Sequence, residues 1–329
     1  MLIRINIKSL FNVYDYAIDL VNSDKTTLKF ITAPNGFGKT TLLDFINAAM
    51  HQSYDKMFLT PFQQFELYYD EAGSEIIYKY SVTREDEKSA ADDTDVVQTL
   101  SKTLNIKLQR INGDEEMLVE QFSVKQTPDG TLTTEGSTDN TQMFFVSRTC
   151  FYLTDKRMLM QKKDDIRVEE ETLVIEAIPV NPYPKELKEI MNSPERNKQY
   201  EPQIQAFRDI INRCDFANKQ LEIDKRFGFR FVSNDELHTI LTLDQLSSGE
   251  KQMIIQVYEL LFRAQSDTLV MIDEPELSLH MMWQMNYLKN LTEIANLRGF
   301  QCIVATHSPQ IFNSLWSKSV DLFTLSSQE

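Results

Sequence analysis

Cysteine is scarce in this chain, and long apolar runs are absent. Three cysteines occur in 329 residues, and Cys150, Cys214 and Cys302 lie far apart among apolar neighbours. Because this spacing matches no metal site, we expect buried free thiols in a reducing compartment. No stretch approaches the roughly 18 apolar residues of a membrane-spanning helix, and the N-terminal MLIRINIKSLF reads as a strand and lacks the pattern of a signal peptide. We therefore expect a cytoplasmic protein with no membrane contact.

Positive charge is also in short supply. The chain has 34 Lys and Arg against 49 Asp and Glu, which gives a net charge of −15. A bulk charge of that sign repels nucleic acid, so nucleic acid could bind only through a local basic patch. Histidine is rare as well, since His51, His238, His280 and His307 are the full set. These four form no nuclease motif of the HNH type, and we expect no nuclease activity from the chain itself.

A phosphate-binding loop is predicted at residues 31–41, ITAPNGFGKTT. An apolar run precedes it and a helical pattern follows, which is the strand, glycine loop and helix of that motif. Backbone N–H groups and the helix N-terminus would cradle a di- or triphosphate. Lys39 would place its charge on the β and γ phosphates, and the Thr40 hydroxyl would bind Mg²⁺. The predicted nucleotide-binding residues are Asn35, Gly36, Phe37, Gly38, Lys39, Thr40 and Thr41.

A second anion-binding motif is predicted at residues 245–251, QLSSGEK. Ser-Ser-Gly-Glu ahead of an apolar helical stripe is typical of a helix cap with an acidic first turn. The same hydroxyl and N–H groups could bind an anion at the positive end of the helix dipole. The predicted binding residues are Ser247, Ser248, Gly249 and Glu250.

Two apolar strands are predicted to deliver catalytic residues. Residues 268–272 form a continuous apolar run that ends in Asp273 and Glu274. Asp273 would hold Mg²⁺, and Glu274 would polarise the attacking water. Residues 302–306 form another such run, which ends at His307, and this imidazole would reach the γ-phosphate or the water. The predicted catalytic residues are thus Lys39, Glu274 and His307.

The overall pattern predicts an α/β fold with the core of a P-loop NTPase. Strands alternate with helices and carry the motifs at their ends, which is typical of a mostly parallel sheet. To this core we add an N-terminal antiparallel β subdomain and an inserted helical arm. Residues 144–153 read as a strand, 127–141 as a loop, and 186–221 as helix broken near Pro194 and Pro202. We place an N-terminal lobe at 1–160, a linker and helical arm at 161–225, and a C-terminal lobe at 226–329.

Two groups of residues, one aromatic and one basic, each allow two interpretations. Strand aromatics near the N-terminus could stack on an adenine or fill the core: Phe11, Tyr14 and Tyr16. Basic residues after residue 155 could face a phosphate or form a solvated helix face, because acidic residues interleave with them: Lys156, Arg157, Lys162, Lys163 and Arg167.

The four motifs together resemble the ABC-type ATPases. The loop at 33–40 matches that family's GPNGxGKST with Ala33 at the first position, and LSSGE matches its LSGGQ or LSGGE signature. Asp273 and Glu274 match the Walker B aspartate and the catalytic glutamate, and His307 matches the switch histidine. His280 falls at the aspartate of the family's D-loop, and the Q-loop glutamine cannot be placed at residues 154–157. DEPELSLH and ATHSPQIF look like the RecF, SMC and OLD-like branch, closest to ATPase subunits of anti-phage systems, Septu PtuA-like or retron-associated.

The resemblance implies a homodimer or higher homo-oligomer with ATP sandwiched head-to-tail between subunits. Lys39, Thr40 and Asp273 of one chain would hold Mg-ATP, and Ser247 and Gly249 of the other would close on its γ-phosphate. Such a dimer would regulate a separate effector, a nuclease or toxin, in a defence complex. Two rivals remain open: a DNA-repair ATPase of the RecF/SMC type that binds DNA directly, and the ATPase subunit of a transporter.

Overall fold

The computed structural model describes residues 1–21, 28–71, 75–88, 99–146, 148–154, 182–277, 279–312 and 316–326. The chain divides into two compact units. Unit 1 holds Met1–Cys150 and Lys318–Glu329, and unit 2 holds Phe151–Ser317. Unit 1 is therefore built from two separate pieces of the chain. The predicted lobe boundary at residue 160 lies outside the described residues, and the three-lobe division stays a prediction.

Unit 1 combines a large antiparallel sheet with helices. Its elements before residue 150 are β1 (Leu2–Leu10), β2 (Tyr14–Asp19), β3 (Leu28–Thr32), α1 (Lys39–His51), α2 (Asp55–Leu59), β4 (Gln64–Asp70), β5 (Ile76–Lys88), β6 (Thr99–Asn112), β7 (Glu115–Gln126), β8 (Leu132–Glu135) and α3 (Asp139–Val146). The antiparallel sheet has the strand order β2-β1-β4-β5-β6-β7-β8 in the described chain. Strand β4 of this sheet packs on α1, where Phe45 contacts Phe65 edge-on with ring centroids 5.5 Å apart. The predicted N-terminal antiparallel β subdomain is confirmed.

Unit 2 combines helices with a small antiparallel sheet and parallel strands. Its elements are β9 (Cys150–Leu153), α4 (Pro182–Asn192), α5 (Pro194–Arg213), β10 (Lys219–Asp224), β11 (Gly228–Ser233), β12 (Ile240–Leu241), α6 (Ser248–Phe262), β13 (Leu269–Asp273), α7 (Met281–Arg298), β14 (Gln301–Thr306) and α8 (Pro309–Phe312). Short 3-10 turns occur at Leu243–Gln245 and Trp316–Lys318. Strands β10, β11 and β12 pair antiparallel.

The strands that carry the motifs are parallel within each unit. In unit 2, β13 pairs with β14 from Leu269 beside Gln301 to Asp273 beside Ala305. In unit 1, β3 pairs with β15 (Ser319–Asp321), which leads into the short helix α9 (Leu322–Ser326). All of β13 is buried, as expected of a strand covered on both faces.

Helices α4 and α5 lie within unit 2 and form part of its core. Phe207 and Ile210 on α5 are fully buried, and the Phe207 ring contacts Tyr258 of α6 edge-on at 5.7 Å. Tyr183 of α4 stacks on the same tyrosine at 4.3 Å and donates a hydrogen bond to Glu259. The described part of the predicted arm at 161–225 is thus packed on the helix that begins with the signature residues.

The predicted helix at residues 186–221 is wrong in two places. Helix α5 continues through Pro202, whose ring lies on the exposed face, where water can bond the carbonyl that proline leaves without a donor. The helix ends at Arg213 because the next turn places Asp215 and Asn218 at positive φ, 48° and 67°. Leu221 consequently belongs to strand β10.

The predicted strand at residues 144–153 is also wrong in its first half. Phe144 and Phe145 lie on helix α3, and only Cys150–Leu153 is a strand. The helix forms because Glu120 of β7 accepts hydrogen bonds from the N–H groups of Asn140 and Thr141 at its N-terminus. The preceding loop at 127–141 also contains the short strand β8.

Two of the three cysteines are buried, as predicted. Cys214 and Cys302 are buried, and burial raises the pKa of the Cys214 thiol to about 11 and that of Cys302 further. Cys150 is half-buried at the first position of β9. In the described chain, no helix is long and apolar enough to span a membrane.

Candidate functional site

The phosphate loop of unit 1 has the predicted strand, turn and helix. Strand β3 ends at Thr32 and helix α1 begins at Lys39, with Gly38 as its N-cap residue. Gly36 and Gly38 take φ values of 90° and 85°, a left-handed backbone of the kind found in anion-binding nests. The two glycines thus have the backbone conformation that the predicted phosphate loop requires.

Lys39 is held against the loop. Its side chain is buried, and Nζ donates to the carbonyl oxygens of Ala33 at 2.9 Å and Pro34 at 3.3 Å. Those two carbonyls offset the cost of burying an ammonium group. A phosphate that enters the loop can replace them with charged acceptors, which bond an ammonium more strongly.

The other predicted residues of the loop differ in exposure. Asn35, Gly36 and Thr40 are exposed, whereas Phe37, Gly38 and Thr41 are half-buried. The exposed Thr40 hydroxyl at the N-terminal turn of α1 is an oxygen ligand of the kind that Mg²⁺ prefers.

An aromatic cluster flanks the phosphate loop within unit 1. Tyr14 stacks on Tyr16 at 5.7 Å and on Phe37 at 5.2 Å, and Phe37 contacts Phe323 of α9 edge-on. Tyr16 is buried and donates to the Phe37 carbonyl at 3.0 Å. Burial, with a smaller effect of Tyr14, raises the pKa of the Tyr16 phenol, so Tyr16 stays a neutral donor. Tyr16 is therefore a core residue, and Phe11 packs near Gly38; for Tyr14 both interpretations stay open.

The acidic end of β13 lies at the carboxyl edge of the parallel strands in unit 2. Asp273 is the last residue of β13 and is buried. Glu274 follows with a φ of 46°, and its N–H donates to the carbonyl of Ala305 on β14 at 2.8 Å. A left-handed backbone is uncommon for glutamate and is held here by the neighbouring strand. The edge of an α/β sheet where strands end is the usual place for a ligand site.

The structure brings Glu274 and His307 together. Nδ1 of His307 lies 3.8 Å from Oε1 of Glu274, and both side chains are partly exposed, 43% for the histidine and 26% for the glutamate. An imidazole and a carboxylate at this distance, both open to solvent, can together orient a water molecule and accept its proton.

Glu276 is a residue that the sequence analysis missed. Its carboxylate is buried, and Oε1 accepts from the Thr306 hydroxyl at 2.7 Å and from the His307 N–H at 2.8 Å. The same oxygen lies 3.2 Å from His307 Nδ1. The available signal was the second glutamate of DEPE, two positions after Glu274.

The signature residues begin helix α6 with a capping box. Ser247 accepts from the Glu250 N–H at 3.3 Å, and the Glu250 carboxylate accepts from the Ser247 N–H at 2.7 Å. Lys219 pairs with the buried Glu250 carboxylate at 2.6 Å, which neutralises a charge that would otherwise repel an anion. Ser247 and Ser248 are exposed, while Gly249 and Glu250 are buried.

His280, at the predicted D-loop position, caps a helix. His280 is the N-cap residue of α7, and its Nδ1 accepts from the Met282 N–H at 3.3 Å. Ser278 and the five basic residues after residue 155 lie outside the described residues, as do residues 155–157 of the expected Q-loop. The predicted site residues thus fall in two groups, 35–41 in unit 1 and 247–250, 273, 274 and 307 in unit 2.

The predicted Mg²⁺ ligands, Thr40 and Asp273, have the oxygen atoms that Mg²⁺ prefers, but they do not form a complete metal site made of protein alone. In the described ranges, no cluster of three or more His, Cys, Asp or Glu side chains could hold a metal. Mg²⁺ is usually bound by one or two protein oxygens together with phosphates and water, and Thr40 and Asp273 offer such oxygens.

A protein family matches half of the chain. Residues 146–313 match the family described as "AAA domain, putative AbiEii toxin, Type IV TA system". These residues include the signature, Asp273, Glu274 and His307, and they exclude the phosphate loop.

A curated relative matches a shorter segment. The chain is 30% identical over 97 residues to the "Retron Ec83 probable ATPase" of Escherichia coli, a match over 26% of this chain and 18% of that protein. The chain thus spans less than a fifth of that relative's length.

Solved structures resemble the chain at low sequence identity. A crystal structure of an SMC head bound to the C-winged helix domain of ScpA is 11% identical, with a TM-score of 0.51 over 97% of this chain and 93% of that one. The SMC head domain from Thermotoga maritima is 12% identical, with a TM-score of 0.43 over 97% and 92%. The first likeness confirms the predicted α/β fold.

Proposed function

Because the chain belongs to the AAA-domain family of the AbiEii type, we propose that it is an ABC-like ATP hydrolase whose ATP-bound dimer regulates a separate effector. The membership and the fold make it an ATPase of the AAA/ABC-like type. The observation that carries the hydrolytic role is the Glu274–His307 pair at the carboxyl edge of β13 and β14. A formed phosphate loop in the same chain supports the choice of a nucleotide as substrate.

In this proposal each side chain has one task. Lys39 leaves the carbonyls of Ala33 and Pro34 for the β and γ phosphates of ATP. Thr40 and Asp273 would each offer an oxygen to Mg²⁺, which would neutralise phosphate charge. Glu274 takes one proton of the attacking water, and His307 orients the same water by accepting a hydrogen bond from its other O–H.

Two variants test the hydrolytic proposal. Glu274→Gln keeps the size of the side chain and removes the proton acceptor, so we expect phosphate release to fall at least 100-fold while ATP still binds. Lys289→Gln, on the exposed side of α7, is a control for the loss of one charge and should leave the rate unchanged. Wild-type hydrolysis that persists in Glu274→Gln would rule out this assignment.

The head-to-tail dimer rests on the exposed start of α6. Ser247 and the N–H groups of the first turn form an anion-binding end, and in the proposal they close on the γ-phosphate of a second subunit. The aspartate in Ser247→Asp keeps the helix cap but repels phosphate, whereas Ser247→Thr keeps both the cap and the hydroxyl. In the Glu274→Gln background with Mg-ATP, light scattering should find a dimer for the threonine variant and a monomer for the aspartate variant.

We propose a separate effector because one relative of the chain is the probable ATPase of a retron. We place the complex in the cytoplasm because the buried thiols suit a reducing compartment. A pull-down of tagged Glu274→Gln protein, trapped with Mg-ATP in cells that carry its neighbouring genes, tests for the effector. A stoichiometric protein partner supports regulation of an effector, either a nuclease or a toxin. DNA alone in the eluate would favour the alternative, a RecF/SMC-type ATPase that binds DNA directly, and binding should then weaken steeply with salt.

A further inference from the structure

The turn after β13 holds a carboxylate beneath the catalytic pair. Glu276 is 6% exposed, and a carboxylate so buried persists only when hydrogen bonds replace its water. The Thr306 hydroxyl and the His307 N–H supply two such bonds to Oε1, at 2.7 Å and 2.8 Å. Both donors lie at the end of β14, so Glu276 ties the turn after one strand to the end of the next.

The same carboxylate faces the imidazole of His307. Nδ1 lies 3.2 Å from Glu276 Oε1 and 3.8 Å from Glu274 Oε1. Two carboxylates on one side of the ring favour a proton on Nδ1, because a bare nitrogen lone pair there would face only acceptors. With Nδ1 turned to the carboxylates, Nε2 on the opposite side of the ring is the atom left to meet a substrate.

A second layer of hydrogen bonds fixes this arrangement. Gln284 of α7 donates to the carbonyl of Leu279 at 3.1 Å and accepts from the Ser308 hydroxyl at 2.9 Å. The Ser308 N–H in turn donates to the Thr306 hydroxyl at 3.0 Å. The residues on both sides of His307 are thus held by groups from the turn and from α7.

We propose that Glu276 is a positioning residue that orients His307, holding Nδ1 on the carboxylate side so that Nε2 points to the substrate. The inference rests on the proposed ATP hydrolysis and assigns to it a residue that acts only through the histidine. Histidine ligands and bases elsewhere are fixed by a carboxylate on the second ring nitrogen in the same manner.

The test is a double-mutant cycle on ATP hydrolysis by the full chain. Glu276→Gln keeps an oxygen acceptor but removes the charge facing Nδ1, so we expect kcat to fall about 10-fold or more with KM for ATP changed less than about two-fold. In a His307→Ala background the same change should alter kcat less than about two-fold, because the residue acts through the missing imidazole. Glu259→Gln, another buried carboxylate of unit 2 that contacts Tyr183 and not His307, is the matched control and should keep kcat.

A second pair of variants covers poor folding of Glu276→Gln. Thr306→Val removes the hydroxyl that donates to Oε1, and Thr306→Ser retains it; the valine variant should lose kcat and the serine variant should not. Losses that multiply independently in the His307→Ala background, or a valine variant as active as the serine variant, would overturn the inference while leaving the ATPase proposal intact. A wild-type protein that does not hydrolyse ATP would overturn the proposed function and this inference with it.

Discussion

Gly36 and Gly38 share a left-handed backbone but differ in their surroundings. A Cβ at Gly36 would meet nothing within 4 Å, whereas at Gly38 it would lie 2.6 Å from Leu10 Cδ2 and 3.3 Å from the Phe11 ring. An alanine at either position carries backbone strain, and at Gly38 it must also displace a buried leucine of β1.

The first prediction compares these two glycines. We expect Gly36→Ala to lower the free energy of unfolding by about 1 kcal/mol. Gly38→Ala should lower it by about 3 kcal/mol, because overpacking adds to the strain. Urea unfolding of both variants checks this order, and equal losses would show that Leu10 moves aside freely.

The second prediction concerns Lys39. Lys39→Met removes the charge that, in the proposal, meets the phosphates, so kcat/KM for ATP should fall about 100- to 1,000-fold. The variant also leaves the carbonyls of Ala33 and Pro34 without their donor, and we expect a small loss of stability besides. Steady-state phosphate release measures the first effect, and circular dichroism confirms that the protein has folded. Retained kcat/KM would mean that the ammonium group does not meet the phosphates.

The sequence predicts residues whose role is local far better than residues whose role depends on a distant partner. Lys39 and the loop glycines belong to one continuous motif, so a short stretch of sequence is enough to predict the proposed phosphate site. Glu276 went unnoticed because its donors, Thr306 and His307, come 30 and 31 residues later. Only the pairing of β13 with β14 shows that Glu276, as well as Glu274, approaches the histidine.

Helix α3 illustrates the same limit at the scale of an element. Aromatic and β-branched residues from Phe144 onward favour a strand by composition. The helix forms because Glu120 on β7 supplies acceptors for its first N–H groups, and because Phe144 and Phe145 pack on Tyr69 at 5.4 Å and 6.0 Å. The elements with a continuous pattern of their own, such as α1, α6 and β13, were predictable from sequence.

The third prediction uses the pKa of Glu120. Burial alone would raise it, but hydrogen bonds from Thr141, Asn140 and Ser137 outweigh that effect, and the pKa of this carboxyl lies below its usual value. A lowered pKa in the folded state adds stability that is present above the unfolded value of about 4.3 and disappears as the pH falls through the folded value. The free energy of unfolding of the wild type should exceed that of Glu120→Gln by about 1–2 kcal/mol at pH 7. This difference should disappear at acidic pH.

Unfolding of both proteins in urea between pH 3 and pH 7 measures this difference. The exposed Glu135 of β8 gives a control, since Glu135→Gln should show no such dependence. A difference between wild type and Glu120→Gln that stays constant with pH would contradict the assigned role of the ionised carboxylate.

At the scale of the whole molecule, a nucleotide should stabilise the fold by mass action. Ligand at 100 times its Kd stabilises the binding-competent state by about 2.7 kcal/mol. For a chain of this size we expect the first melting transition of Glu274→Gln to rise by about 5 °C with Mg-ATP. The Lys39→Met, Glu274→Gln double variant should show no such rise, and an equal rise in both would indicate binding away from the phosphate loop.

The net charge of −15 also acts at this scale. Its self-repulsion favours a well-separated monomer at low salt, while nucleotide adds further negative charge. If the ATP-bound dimer forms as proposed, added salt should therefore promote it, by screening the repulsion between subunits. DNA binding would respond to salt in the opposite direction, and so one titration separates the two proposals.

The pairing of β3 with β15 has a consequence for the order in which the protein is made. Strand β3, which carries the phosphate loop, leaves the ribosome early, but its parallel neighbour Ser319–Asp321 is translated nearly three hundred residues later. At about 5–20 residues per second, that delay lasts roughly 15–60 s. Throughout this interval one edge of a buried apolar strand lacks its partner, and all of unit 2 is synthesised before unit 1 can close. Newborn copies of this protein therefore pass through a long stage in which they hold a phosphate loop on an unfinished sheet, exposed to chaperones and to one another.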